Sequence, residues 1–399
     1  MNKSRTLTLI SGALILFCLG IIYIWSIFNK PVSAYFNNWA ESSYTFNIML
    51  VTFVLGILIG GRIQDKKGPR IVVLWGGILF AVGILLASVT PSSLPWLFAF
   101  AYGGLAGFGV GMAYTSTVSC VQKWFPDRRG LASGVMVSAF GVSTVAFGPL
   151  ASSMLTTLSV GNTLQILAIA FFAVVIIFVW FIKNPPEGYM SDVVKAKSKA
   201  APVAADQFSP GEALRTKEMY FIIICMAMLT LSYFIINPKI TQMSGPGGKN
   251  FADLAVITIS LSGVASALGR LLIPILSDFK GRKFAFMLLF IIILVSMVLM
   301  IFVSGPVCMV LIWAISFCYG ASAGVFPALT ADYYGVKNMG ANYGLVMIGF
   351  AGAAVLAMSI SSIFISVDAV SSFAFIIPVI ACVIGIVFMA ILKPPSKAK

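Results

Sequence analysis

Long runs of apolar residues dominate the chain, and short polar segments separate them. Twelve runs come close to or exceed the roughly 20 residues that a helix needs to cross about 30 Å of hydrocarbon. They cover residues 7–28, 44–61, 71–89, 94–121, 131–158, 163–182, 219–236, 251–277, 284–303, 306–330, 341–366 and 371–392. Their Gly, Pro and Ser content is typical of helices packed in a bundle. The pattern predicts an all-α polytopic membrane protein with twelve transmembrane helices, the first retained because no cleavage site follows it.

Composition supports this class and narrows the chemistry. Of the 399 residues, 60% are hydrophobic and 10% are charged, whereas soluble domains are about one quarter charged. The six cysteines are scattered without a CxxC pair, which indicates packing residues rather than a disulfide framework or a metal site. The absence of histidine excludes a histidine proton relay and most zinc or haem chemistry. We find no nucleotide, metal or nucleophile motif, so we expect neither a cofactor nor an enzyme.

The net charge of +14 has a topological explanation. With the N-terminus inside, 22 of the 26 Lys and Arg residues fall in inner segments, and Lys30, Lys239 and Lys249 fall in outer ones. Cytoplasmic loops carry an excess of Lys and Arg. The count predicts a cell-membrane protein with cytoplasmic N- and C-termini, and it removes the reason to expect a nucleic-acid partner.

Two related halves are predicted on either side of a polar linker. Residues 183–217 are rich in Pro, Lys and Ser and separate a six-helix half at 1–182 from another at 218–399. Asp65 and Asp278 each follow an apolar run and lie 213 residues apart, while Gly130 and Gly340 each open one and lie 210 apart. Such repeats place a substrate site between the halves near the middle of the bilayer.

One charge does not fit a loop, a tail or the end of a span. Arg270 lies inside the eighth apolar run, and an intramembrane arginine is a functional-site hypothesis by default. The alternative is a snorkelling side chain, because Arg270 lies about 10 Å from the inner end of its helix. We favour contact with an anionic substrate.

Several segments carry a resemblance to a known family. The stretch Gly61–Arg70 has the spacing Gly-Arg-x-x-Asp-Lys-Lys-Gly-x-Arg. Further segments are Tyr23–Phe28, Gly103–Tyr114, Lys123–Gly134, Leu268–Arg270, Ser277–Asp278, Cys318–Gly320, Pro327–Gly335 and Asn342–Leu345. The first resembles the loop signature of the major facilitator superfamily. Together they resemble the oxalate:formate antiporter family and the related monocarboxylate transporters over nearly the whole chain.

The resemblance implies roles for particular residues. Arg270 would pair with a substrate carboxylate, which suits a planar and permanently charged guanidinium. Charge and helix-dipole contacts at the inner helix ends would break as the halves rock. We assign those contacts to Asp65, Arg70, Asp278 and Arg282.

Aromatic residues are expected to complete the binding site. The mid-span tyrosines are Tyr23, Tyr114, Tyr319 and Tyr343. We expect their hydroxyls to line a polar cavity, with packing or a lipid-facing position as the alternative. Phe350 lies where the dicarboxylate-exchanging members carry a lysine, so it would form an apolar wall. We expect the glycines from Gly103 to Gly111 to serve close helix packing rather than ligand binding.

Two residues found in members of that family are missing here, and their absence bears on the substrate and on the ion coupling of transport. One intramembrane cation balances one carboxylate, which favours a monocarboxylate over oxalate. Ser266 occupies the place of an aspartate found in proton-coupled members, whereas Lys30 matches a lysine of those transporters. The mode of coupling, exchange or proton symport, therefore stays open.

We conclude that the sequence favours a secondary transporter of small organic anions, most of all a formate- or lactate-like monocarboxylate. We expect it to act as a monomer in the lipid bilayer, with protons as a further candidate partner. The alternatives are a dicarboxylate exchanger of the oxalate:formate kind and a non-transporting membrane sensor. The sensor is disfavoured because we find no appended soluble domain.

Overall fold

A computed structural model describes residues 2–37, 44–186, 189, 206–236, 252–303, 306–364 and 373–395. The side chain of Tyr23 and that of Asp253 lie outside this description, as do Lys239 and Lys249. The predictions for Tyr23 and for the outer lysines at 239 and 249 therefore fall outside the described residues.

The described chain is helical from end to end. The first part contains α1 (Asn2–Leu19), α2 (Trp25–Tyr35), α3 (Tyr44–Lys67), α4 (Pro69–Ser88), α5 (Pro95–Phe98), α6 (Gly107–Trp124), α7 (Arg129–Thr157) and α8 (Val160–Phe178). The second contains α9 (Pro210–Ala213), α10 (Lys217–Ile236), α11 (Ala252–Lys280), α12 (Arg282–Phe302), α13 (Pro306–Tyr334), α14 (Met339–Phe364) and α15 (Phe373–Ile391). Single-turn 3₁₀ segments at Gly20–Ile24 and Val179–Phe181 extend α1 and α8, and a π-helix at Ala99–Ala106 joins α5 to α6.

Each of the twelve predicted runs coincides with helix, but some ends differ. The segment from Arg62 to Arg70 was predicted to be a loop between two spans, and this prediction is wrong. Helix α3 continues to Lys67, and only Gly68 separates it from α4. Lys66 and Lys67 occupy the last turn of α3, where positive charge interacts favourably with the helix dipole. Gly68 then turns the chain with φ at +86°, a conformation that favours glycine.

The surface of the described helices suits a lipid environment. Ten of them are long and apolar enough to cross a membrane by length and composition. Large apolar side chains on these helices are exposed, including Trp75, Phe100 and Phe302. An exposed apolar surface of this extent is expected against hydrocarbon rather than water. The chain is therefore a multi-pass membrane protein.

The fold comprises two compact units. The first unit contains residues 1–127, 135–200 and 335–344, and the second contains 128–134, 201–334 and 345–399. Helix α7 begins in the second unit and continues in the first, whereas α14 begins in the first and continues in the second. The short segments 128–134 and 335–344 are thus packed with the unit opposite to the rest of their helices.

The glycine-rich stretch of the fourth span provides close helix packing, as predicted. A Cβ on Gly103 or Gly107 would meet α3 at Thr45 or Thr52, at 2.6 Å in each case. A Cβ on Gly109 would meet the carbonyl oxygen of Gly76 on α4 at 2.5 Å. Glycine at these positions lets the backbones of α3, α4 and the fourth span approach one another.

Candidate functional site

Arg270, a residue of the second unit, lies on a buried face of α11. Its side chain is 6% exposed, while Leu268 and Leu272 on the same helix are about half exposed. Ser262 and Ser266 precede Arg270 by two turns and one turn, and both are buried. The buried face of α11 is therefore polar around the arginine. A side chain in this position is held within protein rather than directed along lipid toward the interface.

Aromatic rings form a cluster in the same unit. Tyr319 of α13 stacks on Tyr233 of α10 with ring centroids 3.8 Å apart, and Phe234 meets Tyr319 edge-on at 5.8 Å. Phe350 of α14 joins the cluster through Phe234 at 5.0 Å. Two of the predicted site residues, Tyr319 and Phe350, are thereby brought into one group.

This aromatic cluster connects to the arginine helix through a close backbone contact. Gly320, next to Tyr319, packs so tightly on α11 that a Cβ would collide with the carbonyl of Ser266. Ser266 lies one helical turn before Arg270. The packing of α13 on α11 therefore fixes the height of Tyr319 relative to the arginine.

Three further residues predicted for substrate binding or coupling, Tyr114, Tyr343 and Lys30, belong to the first unit. Tyr114 of α6 packs with Phe53 and Phe140 at centroid distances of 5.5 Å and 5.1 Å, in a second aromatic cluster. Tyr343, at the start of α14, is 2% exposed. Lys30 of α2 is exposed. The roles of these three residues stay predictions.

Asp278 holds the start of α7 within the second unit. Its two carboxylate oxygens accept hydrogen bonds from the backbone N–H groups of Gly130 and Leu131, each at 2.9 Å. A carboxylate at a helix N-terminus satisfies amides that have no intrahelical partner and interacts favourably with the dipole. Arg282 approaches the same carboxylate at 2.7 Å.

The network extends to a second carboxylate. Arg282 donates from Nε to Asp332 at 2.8 Å, and Arg129 donates to the other oxygen of Asp332 at 2.7 Å. The four side chains are between 2% and 14% exposed. They therefore form a shielded chain of alternating charge, in which removing one member leaves a neighbour poorly compensated.

Asp65 holds the start of α14 in the same way within the first unit. It accepts from the N–H groups of Gly340 at 3.3 Å and Ala341 at 2.9 Å. Gln64 also donates to Asp65 and reaches Ser119 at 3.0 Å. Buried Lys123 adds a favourable Coulombic interaction.

These contacts follow the spacing of the predicted internal repeat. Asp65 accepts a hydrogen bond from Gly340, and Asp278 accepts one from Gly130. The two aspartates are 213 residues apart in the chain, and the two glycines are 210 apart. Gly68 and Gly281 follow the two aspartates with φ of +86° and +92°. The two loops adopt one conformation because the same residue types occur at the same spacing.

A cation after each of these glycines caps a helix end. Arg70 donates to the carbonyl oxygen of Trp180 at 2.8 Å and lies over its indole ring. Lys283, at the equivalent position, donates to the carbonyl oxygens of Ala390 and Leu392. A positive charge at a helix C-terminus is favourable. Arg70 thus contacts the end of the sixth span.

The ends of the polar linker also occupy equivalent positions. Tyr189 packs edge-on against Trp124, the last residue of α6, at 5.0 Å and donates to its carbonyl oxygen. Phe208 packs edge-on against Tyr334, the last residue of α13, at 5.4 Å, and its N–H donates to that carbonyl. Trp124 and Tyr334 are 210 residues apart. Each linker end is therefore anchored on the last residue of a repeat-related helix.

Sequence reasoning did not assign Arg129 and Asp332 to the network. Both lie in segments that carried the family resemblance: Arg129 is at the start of α7 and Asp332 is near the end of α13. The available signal was a charge close to a glycine in each segment, Arg129 next to Gly130 and Asp332 three residues before Gly335. Their pairing could not be read from it, because they are 203 residues apart in the chain.

Known proteins resemble this chain over most of its length. The family described as Major Facilitator Superfamily matches residues 10–330 and 257–399. An uncharacterized MFS-type transporter of Escherichia coli, YhjX, is 26% identical over 357 residues, covering 88% of this chain and 85% of its own. The oxalate:formate antiporter of Oxalobacter formigenes is 28% identical over 355 residues, covering 86% and 81%. Monocarboxylate transporter 13 of Rattus norvegicus is 38% identical over 123 residues, covering 31% and 28%.

Solved structures share the fold. The crystal structure of the transporter FucP in the outward conformation superposes with a TM-score of 0.75 at 13% identity, and it covers 98% of this chain and 99% of its own. At this level of identity the similarity extends to the fold alone.

Proposed function

The chain belongs to the Major Facilitator Superfamily, and on that premise we propose that it is a secondary transporter of small monocarboxylates. It is a transporter of the oxalate:formate antiporter and monocarboxylate transporter type. We infer the class of substrate from the residues of the candidate site. The observation that carries the proposal is the burial of Arg270 on the polar face of α11.

A buried arginine in a membrane protein requires a compensating anion or acceptor. Among the described residues, the buried Lys and Arg side chains are Lys123, Arg129 and Arg270. The first two lie at helix ends near Asp65 and Asp332. Arg270 lies in mid-helix, and a substrate carboxylate would match the planar fork of its guanidinium.

The aromatic cluster supports a single carboxylate. Phe350 packs against Phe234, and Phe234 against Tyr319, so this wall is apolar where a second cation would be needed for a dicarboxylate. The second carboxylate of oxalate would then be desolvated without a partner, which is costly. A formate- or lactate-like anion presents one charge to Arg270 and a small remainder to the rings.

We assign transport to alternating access. The contacts of Asp65 with α14 and of Asp278 with α7 form in one state and break in the other. The excess of Lys and Arg in alternate loops supports cytoplasmic N- and C-termini in the cell membrane.

Uptake into proteoliposomes tests the proposal. Labelled formate, lactate and oxalate are offered with and without a pH gradient, and with unlabelled anion inside to reveal exchange. We expect uptake of formate or lactate and little of oxalate. Preferred oxalate uptake would establish the dicarboxylate exchanger instead, and absence of uptake of every carboxylate would overturn the proposal.

Variants of the arginine make the assignment specific. Arg270→Ala should abolish uptake while the protein still inserts, and Arg270→Lys should retain a small part of it because the charge remains but the fork is lost. Arg62→Ala, which removes an exposed arginine of α3, is the matched control and should transport normally. Near-normal uptake by Arg270→Ala would return Arg270 to a snorkelling or structural role.

A further inference from the structure

Arg270 and Asp278 lie on the same helix, about two turns apart, with Pro274 between them. Proline has no N–H, so it cannot make the usual i→i−4 hydrogen bond to the carbonyl oxygen of Arg270. Helix α11 is therefore locally weakened between the residue assigned to the substrate and the residue that holds α7.

Two glycines pack directly on this weakened turn. A Cβ on Gly134 of α7 would lie 2.9 Å from the carbonyl oxygen of Arg270, and a Cβ on Gly324 of α13 would lie at the same distance from that oxygen. Real Cβ atoms do not approach this closely, so glycine is required for both helices to reach the backbone of Arg270.

The contact of α7 continues along α11 to the carboxylate. Gly130, one turn before Gly134, packs so closely that a Cβ would collide with the carbonyl oxygen of Pro274. The N–H groups of Gly130 and Leu131 bond Asp278. The first turns of α7 thus follow α11 from Asp278 to Arg270, and we call this line of contacts the α7–α11 seam.

A hydrogen bond joins the seam to the third helix. Ser133 donates from its hydroxyl to the carbonyl oxygen of Gly324 at 2.6 Å. The backbone of Arg270 is therefore enclosed by α7 and α13 together, and α13 also carries Tyr319.

The first unit has an equivalent line of contacts, between α14 and α3, that lacks the arginine and the proline. Gly344 of α14 packs on α3 at Leu58 and Ile57, where a Cβ would lie 3.1 Å from the Leu58 Cα and 3.4 Å from the Ile57 oxygen. By the 213-residue offset, Ile57 and Gly61 take the places of Arg270 and Pro274. Gly61 keeps its N–H, so α3 has no such interruption. The α7–α11 seam therefore differs from the equivalent α14–α3 contacts at two positions, Arg270 and Pro274.

We propose that Gly134 and Pro274 are positioning residues that couple the anion site at Arg270 to the contact between Asp278 and α7. When the start of α7 is packed against α11, it holds the backbone of Arg270 in place and thereby sets the direction of the guanidinium. Binding of an anion to Arg270 in turn changes how firmly α7 is seated, because coupling between two sites is reciprocal. The identity of the anion rests on the proposed function, whereas the seating of α7 does not.

Two substitutions break the seam by different means. Gly134→Ala introduces a methyl group against the Arg270 carbonyl. Pro274→Ala supplies an N–H that bonds this carbonyl within α11, and it is the safer variant because alanine favours helix. The matched controls are Gly344→Ala, at the equivalent place in the first unit, and Pro378→Ala, which removes a helix-internal proline from α15.

Hydrogen exchange of the amides at residues 128–134 reports the seating of α7 directly. We expect exchange in Gly134→Ala and Pro274→Ala to rise about tenfold or more, as overpacking or altered packing loosens the contact. Exchange in the two controls should stay within about twofold of the original protein.

The effect of the anion separates coupling from a merely structural role. In the original protein, formate or lactate should change exchange at residues 128–134, and in both seam variants this change should disappear although the anion still shifts the melting temperature. Seam variants that keep the anion-dependent change would overturn the proposal. If the original protein binds no carboxylate, the proposed function fails, and the seam is judged by exchange alone: unchanged exchange in both variants would overturn it as well.

Discussion

The carboxylates of Asp65 and Asp278 hold equivalent places in the two repeats. Each accepts hydrogen bonds from two successive N–H groups at the start of a helix, Asp65 from α14 and Asp278 from α7. Their surroundings differ. Asp278 is in contact with Arg282 and, through it, with Asp332 and Arg129. Asp65 instead accepts a hydrogen bond from Gln64 and interacts electrostatically with Lys123.

This difference predicts unequal effects of neutralising the two carboxylates. Asp65→Asn should lower the stability of the protein by about 1 kcal/mol, the scale of a carboxylate at a helix N-terminus. Asp278→Asn should cost about 3 kcal/mol, because it also leaves a shielded arginine with one partner fewer. Thermal unfolding of both variants in the same detergent measures the difference, and equal melting temperatures would contradict the prediction.

Arg129 and Asp332 should act as a coupled pair. In the first unit the equivalent positions are Met339 and Gln122, so Arg129→Met and Asp332→Gln make this contact of the second unit resemble its counterpart in the first. Asp332→Gln leaves two arginines without their shared carboxylate and should be the more damaging single change. The double variant should be more stable than the sum of the singles predicts, by about 1–2 kcal/mol. A double-mutant cycle from thermal unfolding checks this, and additivity would show that the pair contributes nothing beyond its members.

The contacts of Tyr189 and Phe208 should protect the linker against proteolysis. Tyr189→Ala and Phe208→Ala each remove an edge-on aromatic contact, which is worth about 0.5–1.5 kcal/mol beyond the buried area. We expect limited proteolysis between residues 183 and 217 to become faster in both variants. Tyr220→Ala, which removes a half-exposed tyrosine of α10, is the control and should be cleaved at the original rate. Unchanged cleavage in the two anchor variants would show that these contacts do not restrain the linker.

Phe350 should set the preference between one and two carboxylates. Phe350→Lys places a second cation in the wall formed with Phe234, so the ratio of oxalate to formate uptake should rise about tenfold, the change produced by about 1.4 kcal/mol. Phe350→Leu keeps the wall apolar and should leave the ratio unchanged. Competition of unlabelled oxalate against labelled formate in proteoliposomes gives the ratio. A lysine variant that transports formate without any gain for oxalate would place Phe350 away from the substrate.

Local properties of the chain determined much of this protein. The length of the apolar runs was enough to predict every span, because the bilayer sets the length of a helix and all backbone groups must be satisfied within it. The spacing of Asp65 and Asp278, and of Gly130 and Gly340, was the basis for predicting a repeat, because charged helix ends and helix-opening glycines are local features of the sequence. The cost of an intramembrane charge was enough to single out Arg270.

Tertiary structure decided how these features combine. The helix containing Arg270 could be predicted, but its buried face could not, because that face depends on the approach of Gly134 and Gly324 from other helices. Arg129 and Asp332 became partners only when α7 and α13 came together, across 203 residues of chain. Hydrophobic length and charge placement act within a few helical turns and can be read from the sequence. Contacts between glycine-bearing helix faces depend on the packing of whole helices, and only the folded chain specifies them.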